Sequence, residues 1–222
     1  MPGYFINILM LNTELFEQVD FEVNLKFEKI IEDLLKDQYS IIDTFFDASE
    51  IEILRTATLQ KFEEDQFKKS AIGNRTNEVI EKAIRGDFIL WIDEQKADRA
   101  ESIFFTKINN LVAYLNKTCF MGILHKEFHY AVYPTGTFYK RHLDTFQNDS
   151  RRKLSIVCYL NEENWLTTNG GELVIYKPYG GEEVIYPMPG RVVIFESQVL
   201  EHEVKKVTND QRLSITGWLK TR

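Results

Sequence analysis

The sequence predicts an α+β fold in which N-terminal helices pack on one side of a double-sheet β core of the jelly-roll or barrel kind. Three observations carry this. Apolar residues in the first half recur at helical spacing. From about Gly122 onward, short segments rich in Val, Ile, Tyr and Phe take over. Turn signals at Asn169-Gly170-Gly171, Gly180-Gly181, Pro189-Gly190 and Thr208-Asn209-Asp210 then punctuate roughly eight such segments at regular spacing. The division expected is a helical support region over 1–121 and a β core over 122–222, together one structural domain.

Taken in order, Phe27, Ile30, Ile31, Leu34 and Leu35 place apolar groups on one helical face. SIIDTFF, 40–46, reads as a short strand. Asp47 followed by Glu50 is the pattern of a capping box, opening a helix with Ile51, Leu54 and Phe62 on its inner side. FKKSAIGNR reads as a loop, followed by a short helix through Val79, Ile80 and Ile84 that Gly86 and Asp87 end. FILWID, 88–93, is a strand, and the charged run DEQKADRAE a solvated loop. A helix from about Ala100 to Lys117 then presents Ile103, Phe104, Ile108, Leu111, Val112 and Leu115 on one face. The strands that follow lie in ILHKEFHYAVY, TFYKRHLD, KLSIVCYLN, GELVIYK, EEVIYP, RVVIFE, LEHEVKKV and RLSITGWLK.

Composition narrows the function classes. A net charge of -7 with 13% aromatic residues argues against a disordered chain and against a general nucleic-acid binder. Cys119 and Cys158 sit singly inside apolar runs, which suits two buried thiols in a reducing compartment better than a disulfide. FINILML near the start is short and follows no basic segment, unlike a signal peptide, and no apolar run is long enough for a membrane span. The expectation is a soluble cytoplasmic protein.

The chemistry concentrates in AVYPTGTFYKRHLD, 131–144. Residues two apart in an extended strand share a face, so His142 and Asp144 can reach one point in space. His202, in SQVLEHEVKKV, is the best third ligand; two histidines and one carboxylate form the facial triad of non-haem Fe(II) sites. A histidine and an aspartate ending a surface strand are the plainer alternative. If the turn near Thr208 to Asp210 closes a hairpin, His202 faces Thr216, and Arg212, Ser214, Thr216 and Trp218 share its face, with Leu213, Ile215 and Leu219 on the other. Arg212 then lies about 13 Å from His202, a span suited to a small dicarboxylate held by metal at one end and guanidinium at the other. Lys206 is the rival anchor. HKEFH, 125–129, invites comparison with zinc hydrolases, but its glutamate is misplaced for H-E-x-x-H. Lys140, Arg141, Arg151, Arg152 and Lys153 form a basic cluster read as a solvated rim.

Tyr133-Pro134, Tyr139, His142-x-Asp144, SRRKLSIVCYLN, GGELVIY, PGRVVIFES, His202-Glu203-Val204 and Arg212-x-Ser214-x-x-x-Trp218 together resemble Fe(II)- and 2-oxoglutarate-dependent dioxygenases of the prolyl hydroxylase domain type. AIGNR and IRGDFILWID extend the likeness upstream, toward the helical lead-in of bacterial members. The resemblance implies a double-stranded β-helix of cupin-like build, iron held by His142, Asp144 and His202, and the far carboxylate of 2-oxoglutarate held by Arg212 with Ser214. Tyr159 and Tyr133 match the family's cosubstrate-pocket tyrosines; aromatic core is the alternative for both. The loop after Asp144 carries one extra residue, leaving open whether Arg151 or Arg152 takes the family's basic position.

The implied activity is hydroxylation of a prolyl residue in a protein or peptide, with 2-oxoglutarate decarboxylated to succinate, O2 consumed and ascorbate as reductant. Alternatives are the same chemistry on a free amino acid or another protein residue, and a non-catalytic cupin-like binding protein. The loop from Thr145 to Ser150 is expected to act as a lid. No nucleic-acid or membrane partner is expected.

Overall fold

The structure is a computed structural model that describes residues 22–70, 84–145 and 151–221. Three helices precede a long run of antiparallel strands: α1 (Leu25–Asp37), β1 (Tyr39–Ile42), α2 (Ala48–Glu63), β2 (Lys68–Lys69), β3 (Phe88–Ile92) and α3 (Arg99–Cys119). The β core follows as β4 (His125–Pro134), β5 (Tyr139–His142), β6 (Arg152–Tyr159), β7 (Leu173–Tyr176), β8 (Glu182–Ile185), β9 (Val192–Glu196), β10 (Glu201–Val204) and β11 (Gln211–Lys220). All eight expected strands after Gly122 are present. The helix expected through Val79 and Ile80 lies outside the described residues.

Capping decides where the helices begin. Asp47 caps α2 and Asp98 caps α3, each in a reciprocal box with Glu50 and Glu101. The inward stripe of α1 is Phe27, Ile30, Ile31 and Leu34, whereas Leu35, expected on that face, is 83% exposed. Three further expectations are corrected. The strand in SIIDTFF stops at Ile42, because Thr44 turns the chain at positive φ. Lys68 and Lys69, read as loop, pair with Ile89 and Phe88 as an edge strand. Cys119 is exposed at the end of α3, while Cys158 is buried as expected.

The strands form a seven-stranded sheet in the order β1-β9-β6-β11-β4-β3-β2 and a four-stranded sheet in the order β5-β10-β7-β8. Strand alternation sorts their side chains into two cores. Tyr130, Val132, Leu154, Ile156, Leu213, Ile215 and Leu219 pack with Ile30, Leu54, Phe104, Ile108 and Leu111 of the helices. Ala131, Tyr133, Val157 and Tyr159 point the opposite way, with Leu173, Ile175 and Ile185 of the smaller sheet. The large sheet is therefore covered on one face by helices and on the other by the small sheet, whose far end opens into a cavity. Gly217 allows the closest approach of β11 to β4: a Cβ there would lie 2.0 Å from the Glu127 carbonyl oxygen.

The expected hairpin between the last two strands does not form. His202 pairs with His142 of β5 and Ile175 of β7, in the small sheet, whereas Thr216 pairs with His129 and Val157 in the large one. The turn through Asp210, at positive φ, instead carries the chain from one sheet to the other. The face assignment survives, because alternation along β11 does not depend on its partner: Arg212, Thr216 and Trp218 line the cavity.

Candidate active site

The register of β5 against β10 places His142 directly opposite His202. Asp144 is not on that strand; it sits two residues past its end, in a bend that swings its carboxylate back between the two rings. The Nε2 atoms of His142 and His202 lie 3.5 and 3.6 Å from the two Asp144 oxygens, and one potential ligand atom from each residue falls within 4.8 Å of the others.

The surroundings orient this trio. Nδ1 of His142 is 2.7 Å from the Lys140 carbonyl and Nδ1 of His202 is 3.2 Å from that of Leu200. A carbonyl can only accept, so both rings carry their proton on Nδ1 and turn an Nε2 lone pair toward Asp144. Tyr139 stacks on His142 at 3.6 Å, and Phe195 meets His202 edge-on at 4.6 Å. The Ser155 hydroxyl donates to Asp144 Oδ2 at 2.6 Å and contacts the Ser197 hydroxyl at 2.8 Å, while Arg152 donates to the Asp144 carbonyl.

Burial shapes the ionisation. It pushes the His202 imidazole down to about 4, so the ring is neutral at physiological pH. Burial alone would raise Asp144, but attraction to His202 and His142 when these rings are protonated, together with the Ser155 hydrogen bond, holds its carboxyl well below the usual range. One anionic and two neutral donors facing a common point is the donor set of a divalent transition-metal site with open positions.

The cavity, about 620 Å³, runs from this trio to Arg212. Arg212 is 2% exposed and lies between Tyr133 and Tyr159, its guanidinium carbon 4.9 Å from each ring centroid. Its Nη1 reaches Ser214 at 3.3 Å, and Gly171, at positive φ, packs against its stem, where a Cβ would come within 3.3 Å of Cδ. Arg212 Nε and the Tyr159 hydroxyl are buried without hydrogen-bond partners. A buried cation with unsatisfied donors beside it fits a carboxylate ligand. Lys206, the rival anchor, does not line the cavity.

The model of the 2OG-Fe(II) oxygenase superfamily matches residues 128–220. A solved prolyl-4-hydroxylase of Pseudomonas putida is 33% identical, with a TM-score of 0.79; the match covers 88% of this chain and 99% of that one. The chain belongs to the 2OG-Fe(II) oxygenase superfamily. Within it the similarity runs to prolyl hydroxylases. A Trichoplax adhaerens prolyl hydroxylase, solved with a peptide fragment of hypoxia inducible factor, is 25% identical, with a TM-score of 0.79 over 87% of this chain and 88% of its own. A PKHD-type hydroxylase of Prochlorococcus marinus is 34% identical over 84 residues, 37% of this chain; the chain spans 36% of that relative's length. The double-sheet fold is that of the superfamily, and with it come Fe(II), 2-oxoglutarate and O2 as the group's reactants.

Several features next to the site escaped the sequence reading. Asp87, read with Gly86 as a helix end, forms a two-pronged ion pair with Arg85 at 2.8 and 2.6 Å; the Arg85 guanidinium lies over Tyr139, which in turn stacks on His142. Their i, i+2 spacing beside a strand was the available signal. Ser155, a polar residue on the inward face of an otherwise apolar strand, was another. His125 and His129 do not converge: four residues apart along β4, they are separated by about 13 Å, which removes the zinc alternative. Among the residues of the expected lid only Thr145 is described. No helix among the described residues is long and apolar enough to cross a membrane.

Proposed function

We propose that this protein hydroxylates a prolyl residue in a peptide or protein, using Fe(II) held by His142, Asp144 and His202 and 2-oxoglutarate anchored at its far carboxylate by Arg212. The observation that supports this reading is one cavity with a three-donor cluster at one end and a buried, unsatisfied arginine at the other. When bound, iron and 2-oxoglutarate supply the oxidant for an unactivated carbon, and the cosubstrate leaves as succinate and carbon dioxide. The chain's own residues do the positioning. Carbonyl contacts from Lys140 and Leu200 present both imidazoles in one tautomer, and Ser155 holds the carboxylate. Tyr133 and Tyr159 flank the guanidinium and keep water from it, so its charge acts in a low-dielectric wall. Tyr159 and Ser214 offer the second and third hydrogen bonds to a carboxylate there. The likeness to prolyl hydroxylases, one of them solved with a peptide, favours a peptide substrate, and free cysteines fit a reducing cytoplasm. Ascorbate would serve as external reductant.

The test is succinate formation from 2-oxoglutarate by anaerobically purified protein given Fe(II) and then oxygen, with and without proline-containing peptides. Peptide-stimulated succinate and a mass gain of one oxygen on proline are expected. His202→Ala should abolish both, and Arg212→Lys should raise the 2-oxoglutarate KM by about tenfold or more, since an ammonium cannot reproduce the fork. Hydroxylation of free proline with no peptide requirement would move the substrate class to amino acids.

A further inference from the structure

Two pairs of buried, unpartnered polar atoms lie on residues in or next to the wall of this cavity, and the proposed cosubstrate accounts for only one. Arg212 Nε and the Tyr159 hydroxyl await a carboxylate. The second pair is His129 Nδ1 and Trp218 Nε1, on rings that also line the cavity. These rings stand on neighbouring strands, β4 and β11, with centroids 5.6 Å apart, and are 4% and 9% exposed. Trp91 of β3 closes the third side, 4.9 Å from His129 and 6.2 Å from Trp218, and Arg152 covers the Trp218 face at 3.5 Å.

A buried polar atom without a partner has lost its hydration and gained nothing in exchange. Two such atoms on adjacent rings that both line the cavity call for a ligand with two complementary polar atoms. The indole N–H only donates. Burial, with Arg85 nearby, pushes His129 down to about 3, so its ring is neutral and one nitrogen accepts. A trans secondary amide offers a carbonyl acceptor and an N–H donor on opposite edges, with flat faces suited to flanking rings, so it would lie along this wall with its carbonyl edge toward Trp218 and its N–H edge toward His129.

We propose that His129 and Trp218 bind one main-chain amide of the substrate, Trp218 Nε1–H donating to its carbonyl oxygen and His129 Nδ1 accepting from its N–H. This rests on the prolyl reading above. The amide whose nitrogen is the proline's own is excluded, because it carries no hydrogen, and the nearest one that remains is on the C-terminal side of the target proline. His129 is thus a positioning residue that selects a chain continuing beyond the proline.

The experiment compares two prolyl peptides that differ only by N-methylation of the amide after the proline, on wild type, His129→Leu, His129→Gln and Trp218→Phe. Calorimetric 2-oxoglutarate binding checks that each variant is folded. In wild type, N-methylation should raise the peptide KM about tenfold while leaving the 2-oxoglutarate KM alone. His129→Leu should bind the plain peptide about as weakly as wild type binds the methylated one, with no further penalty from methylation. His129→Gln, whose side-chain carbonyl accepts, should recover sensitivity; Trp218→Phe should raise KM yet remain sensitive. Equal use of both peptides by wild type, or the same methylation penalty in His129→Leu, overturns the inference alone. Peptide-free succinate release by wild type with no prolyl peptide hydroxylated overturns the proposed function, and this inference with it.

Discussion

The two sheets of this protein are built to different rules. The seven-stranded sheet is buried on both faces, with helices behind it and the cavity in front, and Leu154, Ile156, Ile194 and Ile215 are fully inaccessible. The four-stranded sheet has one buried face; its other carries Glu182, Val184, Glu201 and Glu203, of which Val184 is 47% exposed. Yet both histidines of the proposed metal site belong to the small sheet. The large sheet supplies stability and the proposed anchors Arg212, His129 and Trp218, while the small one carries the proposed metal ligands His142 and His202 across the gap. Function therefore depends on the polar bridges that fix one sheet to the other, more than on either sheet alone.

Arg85 and Asp87 form one such bridge. Arg85 pairs through its backbone with Tyr139 of β5, and its side chain grips Asp87 at the entry to β3. Asp87 is 1% exposed, so Asp87→Ala leaves a buried guanidinium uncompensated, a loss of about 3–5 kcal/mol. Chemical denaturation should show it, with the His142 environment disturbed through Tyr139. Burial alone would raise the Asp87 carboxyl, but Arg85 more than reverses this and lowers it. The folded value lies below the unfolded one, so the pair's contribution is complete above the ordinary aspartate range near ~4, declines as pH falls below it and is lost once pH has passed through the folded value. Stability that is unchanged from wild type in Asp87→Ala would show that the sheets hold together without this bridge.

Ser155 is the second bridge, a large-sheet hydroxyl holding Asp144, which follows the small sheet's β5. Ser155→Ala should weaken Fe(II) binding by about 10–100-fold, as loss of a ligand's supporting hydrogen bond commonly does, while the melting temperature shifts little. Anaerobic titration with Fe(II) measures this directly. A variant whose iron affinity matches wild type would mean that the two imidazoles alone orient Asp144.

These bridges also mark the boundary of what the sequence discloses. Helices α2 and α3 were readable because capping and apolar spacing are local, and the His142, Asp144, His202 cluster because its motifs and order are distinctive. The partner of β11 was not. Thr208 to Asp210 carries the chemistry of a turn, and a turn says that the chain reverses without saying which sheet it joins. Leu35 was misplaced because periodicity marks a stripe, and the stripe's edge depends on what packs against it. Ser155 and Arg85 were unremarkable in sequence, and His129 stood out only within HKEFH as a zinc reading, since their roles come from neighbours more than ten residues away: Asp144, Tyr139 and Trp218.

The outer face of the small sheet offers the contrasting case. Arg141 and Glu201, on neighbouring strands β5 and β10, form an ion pair whose side chains are 49% and 46% exposed, and the Arg141 guanidinium also covers the Tyr176 ring at 3.7 Å. Solvent screens that pair, so Glu201→Gln should cost no more than about 0.2–1 kcal/mol, and less as salt is added. The stacking on Tyr176 survives the substitution, which further limits the loss. Thermal unfolding at low and high salt would check it, with succinate formation expected near wild type. A loss well above 2 kcal/mol would mean that the ligand-bearing sheet is held by its outer pairs. The contacts of Asp87 and Ser155 imply the reverse: this sheet is secured from within, at the two points where polar groups join it to the larger one.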